Sequence, residues 1–200
     1  MAKGQTGDFN KLGIADIYKN LTDLTNLKTG IYQPKIMYAA EISAYSALAF
    51  LTPFYLFQSQ LLVGVIVNMM LISGALYAKG KEMLPLIFLP SLAVLSRGIL
   101  FGEMTKYLIF MLPFIWLGNA ALVYSVKYLH LKRKNELFRS AAYGGALKAM
   151  FLLVATGFML AVGLVPEAFL VSFGLVQLIT AVSAALIIWP IHNWRIGSKK

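Results

Sequence analysis

Uncharged polar side chains inside long apolar stretches are the residues of this chain best suited to binding chemistry. Three of them are amides, Asn68, Asn119 and Gln177, and Trp116 lies one helical turn before Asn119. A polar group in an apolar environment is costly unless it finds a hydrogen-bond partner or lines a cavity. Amides gathered near an aromatic ring are typical of a site that binds a small molecule. Hydrogen bonds between neighbouring helices are the alternative explanation for any one of these amides.

Charged residues also lie within the apolar stretches or directly beside them. Glu41 and Lys148 have matching predicted depths, which favours a buried ion pair between two helices; a proton- or ion-coupling site is the alternative. Arg97 is followed by Glu103, and its side chain either extends to the membrane interface or pairs with that acid. Its planar guanidinium is equally suited to a carboxylate or phosphate of a ligand. We therefore count Arg97 and Glu103 among the candidate substrate-binding residues.

The composition indicates that these residues sit in a membrane domain. Of the 200 residues, 59% are hydrophobic and 13% are charged, whereas soluble domains are about 25% charged. The apolar residues form blocks that are long enough, as helices, to cross a hydrocarbon core of about 30 Å. Six blocks are present, at residues 36–57, 61–78, 83–101, 107–129, 141–165 and 168–191. The sequence therefore predicts an all-α fold, an integral membrane bundle of six transmembrane helices.

The distribution of positive charge predicts the orientation of this bundle. Fifteen of the 18 Lys and Arg residues fall in the N-terminal extension, the second and fourth connections and the C-terminal tail. Lys and Arg concentrate on the cytoplasmic side of a membrane protein, so both termini are predicted to be cytoplasmic. The net charge of +10 is thereby explained without nucleic acid. In this frame Arg97, Trp116 and the three amides occupy the outer half or the middle of the membrane, and the inner half holds only Glu41 and Lys148.

Three regions follow from this topology. Residues 1–35 are a polar cytoplasmic extension, in which apolar residues recur at helical spacing over 8–28. This pattern predicts an amphipathic helix, either lying on the inner membrane face or packed on the bundle. Residues 36–191 form the transmembrane domain, and 192–200 form a basic cytoplasmic tail.

Small residues follow one face of the first predicted span. Ala40, Ala44 and Ala47 recur at helical spacing, which lets another helix approach closely. That helix belongs either to the same bundle or to a separate membrane subunit.

Residue patterns of common enzyme classes are absent from the sequence. There is no cysteine, no serine-hydrolase elbow, no zinc-protease motif and no phosphate-binding loop. His130 and His192 both fall at predicted cytoplasmic ends, which excludes a haem held between them inside the bundle. We expect a protein that is not an enzyme, with no cofactor and no metal site, whose ATP-derived energy, if any, comes from another chain.

Six spans within 200 residues, with both termini inside and no nucleotide site, resemble the substrate-binding S component of energy-coupling factor (ECF) transporters. Residues 112–119, Leu-Pro-Phe-Ile-Trp-Leu-Gly-Asn, are similar to the Pro-Phe…Gly-Asn pattern in the fourth span of several S components. The spacing of Ala40 and Ala44 is similar to the motif with which the first span contacts the coupling subunit.

This resemblance implies uptake of a vitamin or similar micronutrient across the prokaryotic plasma membrane. It implies as partners a small-molecule substrate, a transmembrane coupling subunit and two ATPase subunits within the lipid bilayer. Pro113 would open the helical ladder and Gly118 would permit close approach. Trp116 and Asn119 would then face the outer cavity, one stacking on the substrate and the other hydrogen-bonding to it.

Two other functions are compatible with the residues. The bundle is alternatively a non-transporting scaffold or anchor subunit of a larger membrane complex, with its basic cytoplasmic surfaces binding partners. A secondary carrier coupled through Glu41 and Lys148 is the third possibility, although the chain lacks the internal repeat that such carriers often contain.

Overall fold

The computed structural model describes residues 14–31, 33–56, 58–97 and 102–198. Helices and their short connections account for these residues, and no strand occurs among them. The α-helices in this part of the chain are α1 (Ile14–Asn26), α2 (Lys35–Tyr55), α3 (Gln60–Tyr77), α4 (Leu84–Arg97), α5 (Leu108–Val126), α6 (Leu137–Ala161), α7 (Ala168–Phe173) and α8 (Leu175–Gly197). Short 3-10 segments precede α4 and α5, and a π-helical segment, Lys127–Lys132, continues α5. The predicted all-α fold is confirmed.

Among the described residues, four helical stretches are long and apolar enough to cross a membrane. They are Gln60–Tyr77, Met104–Lys132, Leu137–Ala161 and Ala168–Gly197. Helix α4 has 14 residues, about 21 Å at 1.5 Å per residue, which is shorter than a hydrocarbon core. Helix α2 has 21 residues but carries Glu41 and several hydroxyl groups. The chain therefore has the helices of a membrane protein.

Contacts between helices establish their relative directions. Gly118 lies against Leu152, and Gly144 lies against Leu122, so α5 and α6 are antiparallel. Helices α3 and α8 run parallel instead, because Gly64 contacts Thr180 near the start of both helices. Further along, the Tyr77 hydroxyl and His192 Nδ1 are 2.8 Å apart. The N-terminal ends of α3 and α8 therefore share one end of the bundle.

Helix α3 is the centre of the core. Every residue from Met70 to Tyr77 is buried, and α3 packs against α2, α5 and α8. Its sequence is apolar on all sides, which is typical of a helix surrounded by other helices. This position explains why a polar residue of α3 such as Asn68 must find its partners on neighbouring helices.

A buried lysine connects the N-terminal helix to the bundle. Lys127 is fully buried, and its ammonium donates to the backbone carbonyl of Ala78 at 2.9 Å and to that of Leu27. A cation at the carbonyl end of a helix is favourable, so Lys127 stabilises the end of α3 while holding the segment after α1. Ile17 and Tyr18 of α1 are nevertheless exposed. The described part of the bundle thus does not cover the apolar face of α1.

Helix α8 continues beyond the predicted end of the last span. The basic tail was expected to begin at residue 192, but α8 extends to Gly197 and carries His192 and Arg195. Both side chains therefore contact the bundle, and Arg195 lies with its guanidinium 4.1 Å from the centre of the Tyr77 ring. Hydrogen-bonding partners on α2 and α3 explain why the helix persists through these polar residues.

Candidate functional site

A cavity of about 80 Å³ lies among α3, α4, α5, α6, α7 and α8. It is lined by the N-terminal half of α3 and the start of α8, so it occupies the half of the bundle that the charge distribution predicts to be outer. Its walls are mainly apolar side chains. Its polar lining consists of Gln60, Asn68, Ser91, Asn119, Lys148 and Gln177. The structure thus brings together the three amides that the sequence singled out.

The amide of Asn68 connects three helices beside this cavity. Lys148 Nζ on α6 donates to Asn68 Oδ1 at 2.7 Å. Asn68 Nδ2 in turn donates to Thr180 Oγ1 on α8 at 3.0 Å. Asn68 and Thr180 are fully buried and Lys148 is 3% exposed. No carboxylate among the described residues pairs with Lys148, so the cavity contains a buried lysine whose partner is a neutral amide.

The expected ion pair between Glu41 and Lys148 is wrong. Arg195 donates two hydrogen bonds to the Glu41 carboxylate, one from Nη1 and one from Nη2, the latter at 2.7 Å. The reason is the helix arrangement, since α2 packs on α3 and α4 whereas α6 packs on α5 and α8. Matching depth along the membrane normal does not make two helices neighbours.

Asn119 leaves a hydrogen-bond acceptor free at the cavity. Its Nδ2 donates to the backbone carbonyl of Ile87 at 2.9 Å. A carbonyl only accepts, so this bond determines which side of the amide carries the oxygen. Asn119 Oδ1 is buried and has no partner among the described residues, and the same holds for Gln60 Nε2. An unsatisfied buried polar atom costs about 1–3 kcal/mol, which makes each a natural contact for a bound molecule.

Trp116 supports the cavity wall but does not line it. Its indole N–H donates to Ser91 Oγ at 2.8 Å, and its ring packs edge-on against Phe88 with the centroids 4.9 Å apart. Ser91 is one of the lining residues. The expectation that Trp116 faces the cavity and stacks on a substrate is therefore corrected: this tryptophan positions Ser91.

The neighbouring residues of the 112–119 stretch have separate roles. Gly118 is buried, and a Cβ there would lie 3.3 Å from Lys148 Cγ and 3.2 Å from Leu152. The predicted close approach at Gly118 is therefore present. It places the aliphatic part of the Lys148 side chain against α5. Helix α5 continues through Pro113, which has no N–H to donate to the preceding turn, so the ladder lacks one bond there although the helix does not end.

Sequence reasoning did not anticipate every lining residue. Lys148 was expected to pair with Glu41. Gln60, in the first predicted outer loop, was not counted among the candidate binding residues, and Ser91 was not singled out. The side chains of Arg97 and Glu103 lie outside the part of the chain that the structure describes. Gln177 lines the cavity as expected.

A second polar cluster lies at the opposite end of the bundle. Around Glu41 it contains Arg195, the Tyr45 hydroxyl and Gln33, whose Nε2 donates to Glu41 Oε2 at 2.9 Å. The expectation that this half holds only Glu41 and Lys148 is wrong, because Gln33 of the assigned extension and Arg195 of the assigned tail both contact Glu41. The cluster connects α2 to α8.

The two histidines meet at this same end. His130 Nε2 and His192 Nε2 are 3.3 Å apart, and His130 Nδ1 lies 2.7 Å from the carbonyl oxygen of Asn135. Among the described residues, no group of three or more potential metal ligands surrounds them. The pair forms part of a chain of hydrogen bonds from Tyr77 to Asn135.

The small residues of α2 face away from the bundle. Ala40, Ala44 and Ala47 are exposed, so no described element packs against them. Of the two explanations for this stripe, packing within the same bundle does not occur among the described residues.

The fold and the cavity together define an all-helical membrane-type bundle with a polar internal site. The chain matches no protein-family model, and neither curated proteins nor solved structures include one that is similar to it.

Proposed function

We propose that this protein captures a small solute from outside the cell and delivers it to a transporter, as the S component of an ECF-type system does. The observation that carries this proposal is the cavity, in which Lys148 has no carboxylate partner and Asn119 Oδ1 has no donor among the residues that the structure describes. Structural polar networks in a membrane are normally saturated, whereas a binding site keeps groups for its ligand.

The topology that we propose has six spans with both termini in the cytoplasm. Helices α2 and α4 join the four longer helical stretches, since both pack within the bundle. The basic loop between α5 and α6 and the end of α8 then face the cytoplasm. In this arrangement the cavity lies nearer the outer surface of the plasma membrane, where a capture protein meets its substrate.

The size of the cavity limits what binds without rearrangement. Its volume of about 80 Å³ equals roughly two to three water molecules, whereas pockets for drug-sized ligands measure about 300–1,000 Å³. A compact solute fits the cavity as it stands. A vitamin-sized solute requires lining helices to separate, so a compact micronutrient is the substrate that we favour.

The exposed stripe of α2 is our proposed contact with a transmembrane coupling subunit. Ala40, Ala44 and Ala47 allow another helix to come close, as small residues do at helix interfaces in membranes. Two ATPase subunits bound to that coupling subunit would supply the energy. Substitution of Ala44 by Leu should release the coupling subunit without changing solute binding.

Native mass spectrometry of the protein purified in mild detergent from its own host tests this proposal. We expect one small molecule per chain, and its loss in the Asn119→Leu variant. The Ser96→Ala variant is the matched control, since Ser96 is an exposed residue of α4 that bonds only to its own helix. An empty chain in several detergents would contradict the proposal.

The same exposed stripe also supports the scaffold function. In the same experiment, a protein that carries no small molecule but is bound to other membrane subunits would favour a scaffold over a solute-binding component. Identification of those subunits separates the two functions, because a transporter predicts ATPases among them.

A further inference from the structure

We infer that the solute is a compact monocarboxylate whose carboxylate binds the ammonium of Lys148. This inference rests on the proposed function, since it assigns the solute of the same cavity.

The lysine of the cavity favours an anion as its ligand. Lys148 supplies three N–H donors, and the structure gives it one acceptor, Asn68 Oδ1 at 2.7 Å. None of the described lining residues is acidic. A buried ammonium without a counter-charge is costly, and an anion that enters the cavity removes that cost. Because Lys148 supplies one positive charge, a solute with one negative charge is favoured over a solute with two.

The number of cations and the walls distinguish a carboxylate from other anions. A phosphate group carries nearly two charges and three strong acceptor oxygens, for which one ammonium is insufficient, and no arginine lines the described cavity. A simple inorganic anion does not use the apolar walls formed by Val63, Val67, Val94 and Ile115. A carboxylate with a short carbon chain satisfies both the ammonium and these walls.

The volume limits the length of that chain. Benzene, with six non-hydrogen atoms, occupies an engineered cavity of about 150 Å³. On the same scale, a cavity of about 80 Å³ holds about three non-hydrogen atoms. Acetate, propionate and glycolate are the smallest carboxylates that carry a carbon chain, so they come nearest to this limit.

The free acceptor Asn119 Oδ1 adds a preference among these acids. Because its amide orientation is determined by the carbonyl of Ile87, Oδ1 requires a donor from the solute. Glycolate has the same number of non-hydrogen atoms as propionate and carries a hydroxyl where propionate carries a methyl group. We therefore expect glycolate to bind more tightly than propionate, and the Asn119→Leu variant to lose this difference.

Titrations with carbon-13-labelled probes, followed by NMR in detergent micelles, test the inference. The probes are acetate, propionate and glycolate, each compared with its neutral amide of nearly the same shape. On the wild-type protein we expect each acid that binds to do so about ten- to a hundredfold more tightly than its amide, as for a hydrogen bond to a charged group. This comparison needs no variant, so it stands even where a substitution at Lys148 prevents folding.

The Lys148→Met variant should lose the preference for the acid. The matched Lys132→Met variant should keep it, since Lys132 is exposed at the end of the π-helical segment that follows α5. Equal affinity for acids and amides would overturn the inference, as would a preference that survives in Lys148→Met or the absence of saturable binding of every acid. A neutral or larger solute found by native mass spectrometry would leave the proposed function standing and reject only the monocarboxylate. Absence of any solute in both experiments would reject both.

Discussion

At the scale of single residues, the side chain of Asn68 joins α6 to α8 by accepting from Lys148 and donating to Thr180. The two bonds differ in kind, because one involves a buried charge and the other joins two neutral groups. Loss of an acceptor from a buried ammonium is much costlier than loss of a neutral hydrogen bond.

This difference predicts unequal costs for two substitutions. Asn68→Leu should lower the free energy of unfolding by about 2–4 kcal/mol, since Lys148 loses its acceptor. Thr180→Val removes neutral bonds only, the one from Asn68 and the one that Thr180 Oγ1 donates to the Gln177 carbonyl, and should cost about 0.5–1 kcal/mol. Denaturant titration in mixed micelles measures both values, and similar costs would show that the charge of Lys148 contributes little.

Arg195 stabilises the contact between α2 and α8 through the geometry of its guanidinium. Two of its nitrogens donate to Glu41, and the group also lies over the Tyr77 ring. A lysine at this position keeps the charge but cannot donate two parallel bonds or stack in the same way.

We therefore predict that Arg195→Lys lowers the free energy of unfolding by about 1–2 kcal/mol. Arg139→Lys is the matched control, because Arg139 pairs with Glu136 at 3.4 Å in an exposed i,i+3 pair. Exposed pairs of this kind contribute about 0–0.5 kcal/mol. Equal effects of the two substitutions, measured in the same titration, would argue against a special role for the two-bond geometry.

At the scale of helices, glycines decide how closely α6 packs. A Cβ added at Gly145 would lie 2.5 Å from Ala181 Cβ on α8, whereas nothing lies within 4 Å of one added at Gly157. The same substitution on the same helix therefore meets two different environments.

We predict that alanine lowers stability at Gly145 and raises it at Gly157. Gly145→Ala should cost about 1–3 kcal/mol, because α6 and α8 must separate. Gly157→Ala should stabilise by about 0.5–1 kcal/mol, since alanine is a better helix former and meets no neighbour. Thermal unfolding of the two variants measures whether each substitution lowers or raises stability. Destabilisation by both would mean that contact with α8 does not explain the cost at Gly145.

At the scale of the whole molecule, the topology is open to direct measurement because the chain contains no cysteine. Single cysteines introduced at exposed sites are then the only thiols. Exposed sites exist on both predicted sides of the membrane, at Gln58 and Glu167 on one side and Lys81 and Lys132 on the other.

Six spans with cytoplasmic termini predict that Gln58→Cys and Glu167→Cys react with a membrane-impermeant maleimide in intact cells. Lys81→Cys and Lys132→Cys should react only after the cells are permeabilised. Gel-shift labelling measures this pattern. Labelling of Lys81→Cys in intact cells would exclude the proposed orientation.

The helices could be predicted from the sequence, whereas the contacts between their side chains could not. Hydrophobic blocks indicated every helix of the bundle, because the need to satisfy the backbone in an apolar environment leaves little but a helix. The gathering of Asn68, Asn119 and Gln177 followed from their position along those blocks. Their partners did not follow, because a position along a helix says nothing about which neighbour its side chain faces.

Hydropathy and residue type suffice to predict that the chain forms apolar helices and which polar residues lie within them, and the distribution of Lys and Arg predicts their orientation in the membrane. Only helix packing shows that Arg195 pairs with Glu41, that Trp116 donates to Ser91, and that Lys148 faces a cavity with no acid among its described lining residues. The physical reason is that hydrophobicity and helix formation act over neighbouring residues, whereas a side-chain partner is set by helix packing between segments more than 100 residues apart, such as Glu41 and Arg195.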